Sequence, residues 1–125
     1  MTDQEFDALD ARKDELQVAL AQAELANDAA KVKEITAELA QVFRALTDEY
    51  VTDMPVGGGS ARAFLYWHAV IYTHRAGDAK LALEYAKRAL DYSPSEEEKA
   101  EVVYHFETEK IESFVKKHSQ NTQSS

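Results

Sequence analysis

Apolar residues recur at intervals of three and four along most of the chain, the spacing that lines one face of an α-helix. Phe6, Leu9, Leu16, Leu20 and Ala23 mark such a stripe across residues 3–26, interrupted once by Lys13. The stripe over residues 29–51 is more regular. Val32, Ile35, Leu39, Val42, Leu46 and then Glu49/Tyr50 fall at a and d positions of a heptad pattern. Asn27-Asp28 breaks the pattern between the two, and the Asp28 carboxylate is placed to accept the free amides of the next turn. So short a connection brings the second helix back antiparallel, seam against seam. The first half is therefore expected to be a coiled-coil-like helical hairpin.

Met54-Pro55-Val56-Gly57-Gly58-Gly59-Ser60 ends this pattern. Pro55 stops a helix, and three successive glycines are costly to hold in any regular element. Residues 55–60 are expected to be a hinge, with Ser60 capping a third helix over 61–76. That helix holds Phe64, Leu65, Tyr66, Trp67, Val70, Ile71 and Tyr72, and is apolar on almost every side, so neighbours or a partner must cover it. Gly77 suits the left-handed position after it. A fourth helix, 79–92, is amphipathic through Ala82, Tyr85, Ala86, Ala89 and Leu90, and Ser93-Pro94-Ser95 closes it. Ser95 with Glu98 makes a capping box for a fifth helix, 96–118. That helix is expected to bury Val102, Val103, Phe106, Ile111, Phe114 and Val115 and to end on the cations Lys116-Lys117-His118. Residues 119–125 read as a polar, frayed tail. The predicted fold is all-α, with a hairpin (1–54), a hinge (55–60) and a three-helix unit (61–118).

Within that unit, residues 66–94 resemble one tetratricopeptide repeat (TPR). The resemblance rests on Arg75-Ala76-Gly77-Asp78 at the turn, then Ala82, Glu84-Tyr85-Ala86, Ala89-Leu90 and Pro94 at the family's spacings. Its first half departs from the pattern. Tyr66 stands for the usual tryptophan with Trp67 one position late, Val70 replaces a small residue, and Thr73 takes the tyrosine position beside Tyr72. No second copy follows at a 34-residue period. The resemblance implies a module that grips a peptide or helix in a groove, with the fifth helix as a cap. The subset of the family that clamps terminal carboxylates uses lysines and asparagines, where this chain has Tyr66, Val70 and Thr73. The N-terminal half is similar only to coiled-coil hairpins in general.

Composition narrows the function classes. With 125 residues, 45% hydrophobic and 30% charged, the chain is long enough for one core and globular in character. It has no cysteine, which removes disulfides, thiolate metal sites and a cysteine nucleophile. The net charge is −9, and the first 56 residues hold 13 carboxylates against 5 lysines and arginines. Neither half carries the basic stripe that phosphate neutralisation needs, so direct nucleic-acid binding is not expected. The longest apolar run, Ala63 to Tyr72, is about half a membrane span. The amino terminus is acidic rather than signal-like. No membrane association and a cytoplasmic location are the expectation.

No residue set identifies a reaction. His68 and His74 lie six apart and face different ways, and no His-Glu-x-x-His pattern occurs. A metal set drawn from His68, His105 and Glu107 or Glu109 is conceivable, but interfacial histidines are the simpler reading. Gly57-Gly58-Gly59-Ser60 precedes a helix, yet lacks both the preceding strand and the lysine of a phosphate loop. Asp3, Asp7, Asp10 and Asp14 form an acidic ridge, better read as a solvated face than as mimicry of nucleic-acid phosphates. Tyr66 and Trp67 step round the helix from Phe64 by about 100° per residue, which offers an aromatic anchor of the kind that dominates interfaces.

The sequence therefore predicts a non-enzymatic interaction protein without a cofactor or metal: an adaptor, small chaperone or assembly factor binding a partner helix or peptide. The candidate partner-binding residues are Tyr66, Trp67 and Val70 on the third helix, and Val32, Ile35, Leu39, Val42 and Leu46 on the hairpin seam. The rival readings are a self-assembling homodimer, pairing with its own copy, and an acidic inhibitor of a nucleic-acid-binding protein.

Overall fold

Two short turns of the same design set the directions of the helices. After the first helix, the Asn27 amide donates to the Glu24 carbonyl and the Asp28 amide to the Ala23 carbonyl (3.1 and 3.0 Å). After the third, Gly77 donates to His74 and Asp78 to Thr73 (3.0 and 3.2 Å). Each uses one residue at positive φ, Asn27 at 55° and Gly77 at 98°, the left-handed step that terminates a helix by tying its last carbonyls. In each turn the next aspartate then caps the following helix. Asp28 Oδ1 accepts from the Lys31 amide at 3.2 Å, and Asp78 Oδ1 from the Leu81 amide at 3.1 Å.

The computed structural model describes residues 2–53, 59–91 and 96–123. They form α1 (Asp3–Leu25), α2 (Ala29–Asp53), α3 (Gly59–Arg75), α4 (Ala79–Asp91), α5 (Glu96–Lys99) and α6 (Val102–Gln123). No strand occurs among the described residues, and the fold is all-α. Pro55, Gly57, Gly58 and the stop at Ser93-Pro94-Ser95, with its capping serine, lie outside the described residues. Three boundaries differ from expectation. α3 starts at Gly59, so Ser60 lies within its first turn rather than before it. The expected fifth helix breaks at Ala100-Glu101 into α5 and α6. α6 continues through Gln123, so His118 is an interior helical residue rather than a terminal one.

α2 is the centre of the molecule, packed along α1 on one side and, most extensively, along α3 on another. α3 in turn carries α4 and α6, which also pack on each other. Leu39, Phe43, Leu46, Val70 and Ile111 are fully buried, each contributing roughly 1.5–3 kcal/mol by leaving water. The core runs without interruption from Leu16 and Leu20 of α1 to Ile111 and Phe114 of α6. It therefore crosses the expected hinge instead of dividing there. Phe43 stacks on Tyr72, with ring centres 5.3 Å apart and planes within 6°. Polar ties join α2 to α3 and to α4. Arg44 Nη1 donates to Thr73 Oγ1 at 2.8 Å, and Tyr85 of α4 donates to the Asp48 carboxylate of α2 at 2.8 Å.

Candidate interaction groove between α3 and α6

α3 and α6 lie side by side and run in the same direction. Trp67 meets the edge of Phe114 at 6.4 Å, and seven residues further on His74 meets His118 at 4.7 Å. Between the two helices is an open groove of about 560 Å³. α3 supplies Trp67, Ile71 and His74, which share a face because they are four and three residues apart. α6 supplies Phe106, Lys110, Ser113, Phe114 and Lys117 by the same periodicity, together with Glu109 and His118.

The floor is aromatic. Phe114 is buried, and the Trp67 and His74 rings meet it edge-on at 79° and 88°. His118 lies over Phe114 at 4.2 Å. At one end Phe106 stands 58% exposed. Lys110 Nζ sits 4.1 Å from the Phe106 ring centre and 5.8 Å from that of Trp67, in cation–π contact with both. Glu107, buried one turn earlier, places a carboxylate oxygen 3.7 Å from the same ammonium and helps hold it there. The His118 pKa is pushed down, first by burial and then by the neighbouring His74 and Lys117. Dispersion, ring-edge contact and positive charge are what these groups offer, and such groups hold a ligand in place.

Of the residues expected to bind a partner, only Trp67 lies in this groove, half-buried. Tyr66 is 7% exposed and faces Tyr85 of α4 at 6.5 Å, and Val70 is fully buried. Leu39, Val42 and Leu46 are core residues, and Val32 and Ile35 are half-buried against that core. Tyr66, Val70, Leu39, Val42 and Leu46 therefore have no open face, whereas Val32 lines a second open cavity of about 700 Å³ with Leu20, Thr36 and Arg75, and Ile35 lines one of about 350 Å³. Over Leu39 to Leu46, α2 has α1 on one flank and α3 on another, which leaves that part of the seam covered. Exposed large apolar side chains stand on α1 at Val18 and Leu25 and on α6 at Val102 and Phe106. Val102 and Phe106, expected to be buried, are 81% and 58% exposed. Phe64 of α3 is 37% exposed.

The histidines serve packing. His68 is stacked between Phe43 and Phe64, with centres at 5.2 and 4.0 Å, and its Nδ1–H donates to the Phe64 carbonyl at 2.9 Å. Burial pushes its pKa down, opposed by that carbonyl and by Glu107. His105 donates through Nε2 to the Lys99 carbonyl. Among the described residues no three histidine, aspartate or glutamate side chains converge as metal ligands. In the acidic ridge, Lys13 pairs with Asp10 at 2.7 Å and Asp14 at 3.6 Å. No described helix is long and apolar enough to cross a membrane.

The groove was only partly legible in the sequence. Phe106, Lys110, Ser113, Phe114 and Lys117 do recur at three-four spacing. Mixed aromatic and lysine character hides such a stripe from a search for purely apolar faces. Comparison of the chain with family models, with curated proteins and with solved structures finds no match.

Proposed function

We propose that the chain is a non-catalytic protein-interaction module, of the adaptor, small-chaperone or assembly-factor kind, that holds a helical segment of a partner in the groove between α3 and α6. The observation carrying this reading is the exposed Phe106 beside half-buried Trp67, at one end of an open, aromatic-floored groove. From Phe106 to Lys117 the groove follows α6 for about 16 Å, the length of a three-turn helix. Exposed aromatic anchors of this kind supply much of the binding energy at interfaces. The TPR-like reading is in keeping with this arrangement, since α6 packs on both α3 and α4 as a capping helix would.

The test is a quantitative capture with three forms of the chain: intact, Phe106→Ala and Val18→Ala. Both side chains are exposed, 58% and 59%, so neither change disturbs the core. A protein retained by the intact and Val18→Ala forms and lost from Phe106→Ala supports the groove. Equal retention by all three sinks it. Recovery of the chain's own copies alone, with loss on Phe106→Ala, transfers the groove to self-assembly.

A further inference from the structure

We infer that the helix this groove receives is acidic, carrying two carboxylates about two turns apart on either side of an apolar anchor. The inference rests on the docking reading above and adds the partner's chemistry to it. The chain as a whole has a net charge of −9, yet the groove does not share that excess of carboxylate and presents two lysines. Its charged lining is Lys110 and Lys117 against the single carboxylate Glu109, with His74 on the α3 wall and His118 on the α6 wall. Lys110 shares its charge with Glu107 at 3.7 Å. Lys117 has no carboxylate within salt-bridge distance among the described residues. The two lysines are seven residues apart, so they lie on the same face of α6 about 10 Å from each other. Between and below them are Trp67 and Phe114, with Phe106 one turn beyond Lys110 at the end of the groove, and these would receive the apolar anchor.

A guest helix with Glu or Asp at i and i+7 and a large apolar residue between them matches this spacing. A basic guest would bring its own cations against both lysines. Among the described residues α1 packs along α2 and not along α6, and Lys13 within its acidic ridge already pairs with Asp10 and Asp14. At physiological ionic strength charges more than about 8 Å away are largely screened. The local lysine pair therefore sets the preference, while the net charge acts weakly at long range.

A displayed library of helical peptides of about 16 residues tests this, with Leu or Phe fixed at a central i, i+4 pair. The remaining positions are open to Glu, Gln and Lys, and the library is selected on the full chain. The chain has one tryptophan, so Trp67 emission reports occupancy of the groove directly. The expected result is enrichment of Glu at two positions a heptad apart and a change in Trp67 emission on binding. Affinity should fall about tenfold for a folded Lys110→Glu, Lys117→Glu variant, and should weaken as salt rises. Lys117→Gln, at an exposed site, should give a smaller loss in the same direction if the double variant does not fold. Enriched peptides that move Trp67 emission but are neutral or basic overturn the acidic inference and leave the docking reading standing. Enriched peptides that leave Trp67 unmoved and bind Phe106→Ala equally well, or no enrichment at all, overturn both.

Discussion

His68 shows how one side chain can serve the fold and also report on it. Its ring is packed between Phe43 and Phe64, where a neutral imidazole is a good neighbour and a charged one is not. Burial accordingly lowers its pKa below the value of about 6.5 it would have in the unfolded chain. Below that value the unfolded chain takes up protons that the folded chain declines. The stability due to a neutral His68 is therefore complete above about pH 6.5 and is lost as pH falls toward the lowered folded value. His118 shifts in the same direction. The expected outcome is a lower urea midpoint at pH 5.5 than at pH 7.5, with a shallower decline in His68→Gln. An identical decline in that variant would remove His68 from the account. Residues of this kind were legible only in part. Asn27, Asp28, Gly77 and Asp78 announce their turns because few residue types satisfy a left-handed step or a cap. Whether a histidine on an apolar helix faces water, metal or a phenyl ring depends on the neighbouring helix, which periodicity does not identify.

At the scale of elements, α2 is where local pattern and final packing part. Its heptad seam was clear, and taken alone it suggests a surface open to a partner. A second stripe, Thr36, Ala40, Phe43 and Thr47, runs beside it at three-four spacing, and all four residues are buried. Two threonines make that stripe look polar. Yet Thr47 satisfies its hydroxyl by donating to the Phe43 carbonyl at 2.7 Å, which lets it pack as a small apolar residue. Two stripes on one helix mean two flanking helices, and that is the arrangement found. The reach of α2 extends further, to α4. The Tyr85 phenol is pushed up to about 12, first by burial and then by its hydrogen bond to Asp48. Arg88 lies 4.8 Å above the Tyr85 ring and steadies the same contact. Removing the hydroxyl in Tyr85→Phe should cost about 1 kcal/mol, a moderate value because Asp48 is itself half in water. A double-mutant cycle with Asp48→Ala, read by chemical denaturation, should recover most of that as coupling. Additive single effects would show that the α2–α4 tie contributes nothing to the fold.

For the whole molecule, the chain assembles one core from what the sequence divides at 55–60, and leaves an aromatic, partly exposed face on α6. The helix count, the two sharp turns and the all-α class follow from spacing and capping chemistry that any helix obeys. The path of the core and the open groove follow from which helices neighbour which. That information lies in long-range pairs such as Phe43 with Tyr72 and Trp67 with Phe114, and a single sequence does not display them. The central claim is that the α3/α6 groove receives another protein. The most direct measurement is site-specific photo-crosslinking in the intact chain, with the photoreactive residue at Ser113 inside the groove and, for comparison, at exposed Lys33 on α2. Mass spectrometry of the products should find a helical, carboxylate-bearing segment of another protein joined at Ser113, with nothing reproducible at Lys33. Crosslinks forming at Lys33 and not at Ser113, or only to a second copy of this chain, would contradict the account.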